Sequence, residues 1–436
     1  MRCIGIDIGS TSIKGAVLNA RSGKVEHIAR EPFPNPVAGL PSGFHEVDPV
    51  AVTQRTQAVI HELLKHSPDA DSVRFCSQMG GVLLVDHTGQ PLTNYLSWRD
   101  QRTLLPVSPE SSVSLLEDIH SRFSQQVFTE LGQELKPGSA TALLHWLARH
   151  HALPHAAIPV TIGDFVISRL CQSTPVMHPT HGIGMINLLT HDWHHEAFQV
   201  LDLHHLHWPA FASDTHPVGT LHHQGRALPC FAAIGDQQAA LLGINLQENE
   251  LSINASTGSQ VSQITDSFQP ADCQTRCWFG GRFLNTITHI PAGRSLNVLE
   301  SLLTELSRMA GQPLPNSWQL ISQATETAQT DGLTCDLSFF ASALGCSGNI
   351  SGITTENLTV GSLFLAAFDY MADSYLTCSQ RLSPQPRWNR IAVSGGLVQA
   401  FAPLRQRLQA RFPWPLRDVS EQEETLTGLL RMASSG

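Results

Sequence analysis

The sequence has no run rich in lysine or arginine and no stretch of about 18 uninterrupted apolar residues, which argues against a nucleic-acid-binding face and against a membrane span. Charge is sparse. Only 15% of the 436 residues are charged, 42% are apolar, and the net charge is −10 with histidine neutral. That is the composition of a globular protein without biased tracts. Cysteine is scarce and unpaired: the nine residues, an odd number, have neither disulfide-framework nor zinc-site spacing. Reduced thiols and a cytoplasmic setting are therefore expected. The opening MRCIGIDIGS lacks the apolar core and cleavage site of a signal peptide. The sequence also lacks a Walker-type Gly–Lys–Ser/Thr loop, a GxGxxG turn and any short-period repeat, which disfavours two common nucleotide folds and a solenoid. Histidine is abundant, with 22 residues. His194–His195 and LHHLHWP (Leu203–Pro209) suggest a metal site. They lie among Trp and Pro without a helical i, i+4 pair and carboxylate, so surface-loop histidines are the expected reading.

The length predicts two to three domains. Three β-like runs open the chain, at Cys3–Asp7, Ile13–Leu18 and Val25–Arg30. Asp48 and Pro49 then form the start signal of a helix with an apolar face through Val52, Val59 and Leu63. A buried strand follows in SVRFCSQ, then a helical middle, and the β-like pattern restarts at LSINASTGSQVSQI. A strand RIAVSG, a Gly–Gly turn and a helix from about Gln399 to Arg411 follow near the end. Each half thus begins with a hairpin whose tip is rich in Gly, Ser and Thr. That weak duplication points to an α/β class of two facing domains.

The first tip, Asp7-Ile-Gly-Ser-Thr-Ser, would present backbone N–H groups and hydroxyls suited to phosphate oxygens. Asp7, at the end of a buried strand, is costly there unless it is hydrated or near a cation such as Mg²⁺. Lys14 adds positive charge. An ordinary polar turn is the alternative. The second tip, in NASTGSQVS (Asn254–Ser262), repeats the pattern, and just before it stands IGDQQAALLG with Asp236 after Gly235. A carboxylate at such a strand end can accept a proton from an attacking hydroxyl, the main chemistry phosphoryl transfer asks of a side chain. Capping the following helix is the alternative for Asp236, and the two roles are compatible.

Asp7-Ile-Gly-Ser-Thr-Ser, Gly235-Asp236-Gln237-Gln238, Ser256-Thr257-Gly258 and Ser394-Gly395-Gly396 occur in the order of the FGGY carbohydrate kinases, and the chain resembles that family from residue 3 to about 433. SQMGG, SWRDQR, GDFVISRLC and the C-terminal region look most like sedoheptulokinase, with xylulokinase-like relatives next. The resemblance implies two actin-like, ribonuclease H-like ATPase domains of the hexokinase–actin–chaperone group, with a cleft between them. Residues 1–244 would carry the sugar site, the first phosphate loop and the catalytic Asp at their end. Residues 245–436 would carry the second phosphate loop and the adenosine site.

The implied activity is ATP-dependent phosphorylation of a ketose or polyol, first sedoheptulose to its 7-phosphate. Xylulose, ribulose or another sugar is the alternative, as is a catalytically weak sugar- or nucleotide-sensing homologue. Asp236 would be the base. Asp7 and Asp236 would face Mg²⁺ from opposite domains, largely through water. Ser10, Thr11, Ser12 and Lys14 would line the first phosphate loop, and Thr257 and Gly258 the second. Gly293 and Asn297 would border ATP, while Gly395 and Gly396 would let the backbone approach adenosine. Gln78, Met79, Trp98, Asp100 and Gln237 would contact the sugar, although Trp98 fits a core residue and Asp100 fits an ion pair with Arg99 or Arg102. Relatives commonly have Met-His where this chain has Met79-Gly80, which leaves room beside the sugar. The expected partners are a small-molecule sugar and possible homodimerisation, with no nucleic acid and no membrane.

Overall fold

Apolar alternation in the first three runs gives three antiparallel strands, β1 (Arg2–Ile8), β2 (Ser12–Asn19) and β3 (Lys24–Pro32). The computed structural model describes residues 2–154, 156–419 and 423–435. Helix α1 (Pro49–His66) begins at the expected signal: the Asp48 carboxylate accepts the Val50 N–H, and Pro49 takes the first position. Its Val52, Val59, Ile60 and Leu63 bury against Ile4, Ile6 and Ile8 of β1. Strand β4 (Val73–Ser77) runs parallel to β1. After α2 (Ala140–Arg149) and α3 (Ile162–Cys171) comes a hairpin, β5 (Pro217–His223) and β6 (Arg226–Phe231), unforeseen in its polar, His-rich sequence. The two-residue β7 (Ile234–Gly235) pairs in parallel with the end of β4 and leads into α4 (Asp236–Gly243). The first sheet is ordered β5–β6–β4–β1–β2–β3, with β7 beside β4.

The second sheet repeats the scheme with β8 (Glu250–Asn254), β9 (Ser259–Thr265), β10 (Gln274–Cys277) and β11 (Phe283–Ile290). Helices α5 (Gly293–Met309), α6 (Ser317–Thr327) and α7 (Val360–Leu382) precede β12 (Arg390–Ser394). Then come α8 (Gly396–Ala400), α9 (Ala402–Arg411) and β13 (Leu416–Asp418). The order is β10–β11–β9–β8–β12–β13. Four strands correspond in order and direction: β3–β2–β1–β4 in one sheet, β11–β9–β8–β12 in the other. The duplication expected from the two hairpins is therefore a duplication of sheets. The expected single helix at Gln399–Arg411 is broken at Phe401, whose extended backbone precedes Pro403 in the first turn of α9.

The last helix, α10 (Glu424–Ser435), returns to the first sheet, where Leu426, Leu429, Leu430 and Ala433 cover Cys3, Ala16, Leu18 and Cys76. It approaches α4 closely. A Cβ on Gly428 would lie 1.9 Å from the Ala239 carbonyl oxygen, so only glycine fits the crossing.

Among the described residues no helix is long and apolar enough to cross a membrane. All nine cysteines are free. The surface reading of the clustered histidines needs correction at His194, which is buried, as are His145, His178 and His181 outside those clusters. His194 caps a short helix through its Nδ1 and pairs with Glu130 at 3.1 Å. His204 and His205 are exposed as expected, beside Asp202.

Candidate active site

The carboxyl ends of β1, β4 and β7 lie level, with Ile8 opposite Ser77 and Ser77 opposite Gly235. The residues at this edge open into the space beyond the parallel strands of this mixed sheet, where ligands of α/β folds gather. Two carboxylates stand there. Asp7 points to the α10 side of β1: its Oδ2 accepts the Thr425 hydroxyl at 2.8 Å and lies 3.5 Å from Lys14 Nζ. Its Oδ1 is buried with no hydrogen-bond partner. Burial raises the Asp7 pKa against the pull of Lys14. Asp236 opens α4 and keeps some exposure; its Oδ1 accepts the Gln237 N–H at 2.8 Å. Burial, and then the charge of Asp7, push its pKa up to about 7. Asp236 does not cap the helix with its side chain.

The expectation that these carboxylates approach from opposite domains is corrected here, since both stand on the first sheet, two strands apart. The group facing Asp236 from the second sheet is Arg276 of β10, whose charge partly offsets the rise. Beneath Asp236 lies a brace that the sequence did not announce. The Gly235 N–H donates to Thr180 Oγ1 at 2.9 Å, and that hydroxyl contacts His178 Nδ1 at 2.8 Å. Burial lowers the His178 pKa to about 4, so this imidazole is neutral near pH 7.

At the first hairpin tip Ser10 Oγ accepts Arg99 Nη2 at 2.9 Å, Thr11 is exposed, and Ser12 begins β2. Lys14 is already shared between Asp7 and Glu423, at 3.5 and 3.2 Å, which reduces its free charge for an anion. At the second tip Thr257 and Gly258 are exposed. The tip is stitched to the start of α5: the Gly293 and Arg294 N–H groups donate to the Ser256 and Thr257 carbonyls at 3.1 and 2.8 Å.

Thr257, Gly293, Asn297 and Gly396 line one cavity of about 590 Å³. Trp318, Leu397 and Phe401 form its apolar side; the segment after Gly396 reads as apolar toward the nucleotide, whereas sequence reasoning missed Trp318 because its motif-free segment meets the site only in the fold. A polar tip at one end and aromatic walls at the other suit a nucleotide in size and polarity. Gly396 has nothing within 4 Å of a notional Cβ. Gly395 does not line the cavity. At φ +96° its Cβ would lie 2.3 Å from the Ala255 carbonyl oxygen, so its glycine serves the chain's own close approach, not a ligand's.

On the other side of the first sheet's edge, Trp98 is 37% exposed, as a wall residue would be. Met79 packs its sulfur over Gly235, and Gln78 donates to the Gly9 carbonyl at 3.4 Å while its Oε1 stays buried and unpaired. Gly80 holds φ +78°, with a notional Cβ 3.1 Å from Trp98 Cβ, so a histidine would be strained on this backbone.

Two expected sugar contacts are corrected. Asp100 is fully buried: Arg102 takes both of its oxygens through Nε and Nη2 at 2.9 and 2.8 Å, and the His45 N–H adds 2.7 Å. The Gln237 amide is spent across the cleft, its Nε2 3.0 Å from Thr286 Oγ1 and its Oε1 receiving Arg276.

Residues 2–243 match the family described as FGGY family of carbohydrate kinases, N-terminal domain. Gluconokinase of Bacillus licheniformis is 23% identical over 284 residues, covering 61% of this chain and 52% of the relative. Xylulose kinase of Staphylococcus xylosus is 24% identical over 327 residues, covering 69% and 64%. The chain thus spans about half to two thirds of the length of these relatives. In fold it is similar to gluconate kinase from Lactobacillus acidophilus, with TM-score 0.85 at 18% identity over 99% of this chain and 89% of that one. It is likewise similar to ligand-bound xylulose kinase from the same organism, with TM-score 0.84 at 18% identity over 99% and 88%. Those likenesses establish an α/β fold of two actin-like domains.

Proposed function

The chain belongs to the FGGY family of carbohydrate kinases, and on that premise we propose that it transfers the γ-phosphoryl group of ATP to a hydroxyl of a ketose or polyol. The observation that carries this reading is Asp236, a partly exposed carboxylate with a pKa of about 7 at the edge facing the second sheet. A base poised near neutrality takes the hydroxyl proton as the oxygen attacks phosphorus, and little more is asked of a side chain in this chemistry. Thr257 and Gly258 hold the phosphates at the second tip, with Ser10, Thr11 and Ser12 opposite. The cavity beside Asn297 and Gly396 takes the nucleoside, with Leu397 and Trp318 packing against the base. Trp98 and Met79 bound the sugar.

The unpartnered Oδ1 of Asp7 and the nearby Asp236 fit a hard, hydrated cation, and these two would hold Mg²⁺ largely through water. When bound, that ion supplies charge neutralisation on the triphosphate. Thr425 and Lys14 fix the Asp7 oxygen that faces away from it. We assign residues 1–244 to the sugar-binding domain and 245–436 to the nucleotide domain, with α10 docking back onto the first.

Sedoheptulose is our first acceptor, supported by the missing side chain at Gly80 beside Trp98. Xylulose, ribulose and gluconate, the last the acceptor in a relative's name, come next. A second reading, a sugar or nucleotide sensor with little turnover, is favoured by the withdrawal of Asp100 and Gln237 from the cleft. ADP release on a panel of three- to seven-carbon sugars tests both. Sugar-dependent turnover supports the kinase. Its absence on every sugar, with ATP still bound, overturns the kinase in favour of the sensor.

A further inference from the structure

Residues 132–138 of the first unit form a strap against the second sheet. The Gly132 carbonyl accepts the Thr275 N–H at 3.0 Å, and Gln133 Nε2 donates to the Ala271 carbonyl at 2.7 Å. Glu134, buried, pairs with Arg276, the same arginine that holds Gln237. At its far end the strap meets the expected sugar wall: a Cβ on Gly138 would collide with the Trp98 carbonyl oxygen at 1.8 Å. The strap therefore runs from strands β10 and β11 to Trp98, along the acceptor side of the cleft.

One charge on this strap has no counter-ion. Lys136 Nζ donates to Thr288 Oγ1 at 3.3 Å, and among the described residues no carboxylate forms an ion pair with it. Glu134 is the acid whose field reaches it, but that carboxylate is engaged by Arg276. The surroundings are otherwise basic: burial first, and then the charges of Lys136, Arg276 and Arg294 against the opposing pull of Glu134, bring the pKa of His289 down to about 4. Burial likewise holds the Lys136 pKa below the usual lysine value. Lys136 is half-buried, so its ammonium keeps part of its water, and an oxyanion beside it would replace the hydration that burial removes.

Thr288 lies on β11 two residues before Ile290, which pairs with Ser259 at the foot of the second hairpin tip. The amine thus stands between the sugar wall and the phosphate-facing tip.

We propose that Lys136 is an anion-binding residue of the acceptor half of the cleft, its ammonium carried by the first unit, steadied by Thr288, and completed by an oxyanion of the bound ligand. The proposal rests on the kinase reading above. Two sources offer that oxyanion: a carboxylate on the sugar, as in an aldonate, or the phosphoryl group in transfer.

Lys136→Met removes the charge and keeps the length, and Lys136→Arg restores charge. Kinetics are read on neutral ketoses and polyols and on D-gluconate as the anionic probe. If the sugar supplies the anion, Lys136→Met raises KM for D-gluconate about 10- to 100-fold and leaves neutral acceptors unchanged. If the phosphoryl group supplies it, kcat falls by a similar factor on every acceptor with KM retained. Partial recovery in Lys136→Arg accompanies either result. Values of kcat and KM within twofold of wild type on all acceptors overturn the proposal.

A readout independent of turnover is the melting shift caused by D-gluconate or inorganic phosphate, expected in wild type and lost in Lys136→Met. Equal shifts in both proteins also overturn it. Should Lys136→Met fail to melt cooperatively, Thr288→Val, which withdraws only the steadying oxygen, is expected to weaken the same parameter, and no effect there counts against the proposal. A wild type inactive on all acceptors refutes the kinase reading, while the melting shift still decides Lys136.

Discussion

Replacing Asp236 by Asn should abolish turnover and at the same time make the protein harder to unfold, by an amount that grows with pH. The carboxyl rises from 3.8 in the unfolded chain to about 7 in the fold. That is about 3 pKa steps at 1.36 kcal/mol each, so the ionised group costs the native state up to roughly 4 kcal/mol, less whatever its residual exposure screens. Because the folded pKa is the higher one, the stability tied to the protonated acid is fully present below pH 4 and is lost as pH climbs through 7. Asparagine never ionises, and its Oδ1 still accepts the Gln237 N–H seen at 2.8 Å. The variant and the parent should therefore melt together near pH 4, separate between pH 4 and 7, and keep a constant gap above about pH 8. Calorimetric melts across pH 4–9 without nucleotide, read as transition temperatures because a two-unit protein need not unfold in one step, measure the gap. A gap independent of pH, or a variant that still releases ADP with sugar, would refute the assignment of Asp236 as a strained base.

The same carboxyl predicts that kcat/KM rises with pH about a midpoint near 7 in steady-state assays; a flat profile from pH 5.5 to 8.5 contradicts it. Asp164 is a second buried acid raised to about 7, its Oδ1 unpartnered and its Oδ2 taken by Thr161. Asp164→Asn should stabilise the fold above pH 7 and leave it unchanged at pH 4, and a melt shift at pH 4 as large as at pH 8 would refute that origin. Gly395→Ala meets the Ala255 carbonyl and an unfavourable φ, so it should lose about 1–3 kcal/mol and raise KM for ATP. A melting point and KM equal to the parent's would show that the β12–α8 turn tolerates a side chain.

What was legible in the sequence was local. The hairpin tips, Asp236 after a short apolar strand, and Asp48–Pro49 are set by neighbours within a few residues, and each stands where its pattern placed it. Thr257, Gly293, Asn297 and Gly396 lie far apart in the chain, yet their family-like order was enough to bring them to one cavity. What could not be read was which remote segment a polar side chain would find. Asp100 had Arg102 two residues away and was claimed by it, whereas Gln237 was claimed by Arg276, on a strand of the other sheet. The edge hairpin β5–β6 escaped notice because its outer face is polar and its turn is set by Gln224 and Gly225, both at positive φ. His178 and His181 drew no reading at all, because nothing in their short Pro-Thr turn signals that it lies beneath Gly235.

Helix α10 has a bearing on how the protein is made. The first sheet is translated early, yet one flank of β1 and the Oδ2 of Asp7 wait for residues 424–435 to emerge from the ribosome. Until then the nascent half bears an unsealed apolar flank and an Asp7 carboxylate held by Lys14 but not yet by Thr425, so it relies on keeping soluble while the second half is synthesised. Gly428 and Gly243 then let the late helix slot against α4 without displacing backbone. A bulky change at either glycine would be felt first in biogenesis, as aggregation during synthesis, before any defect in the mature protein could be measured.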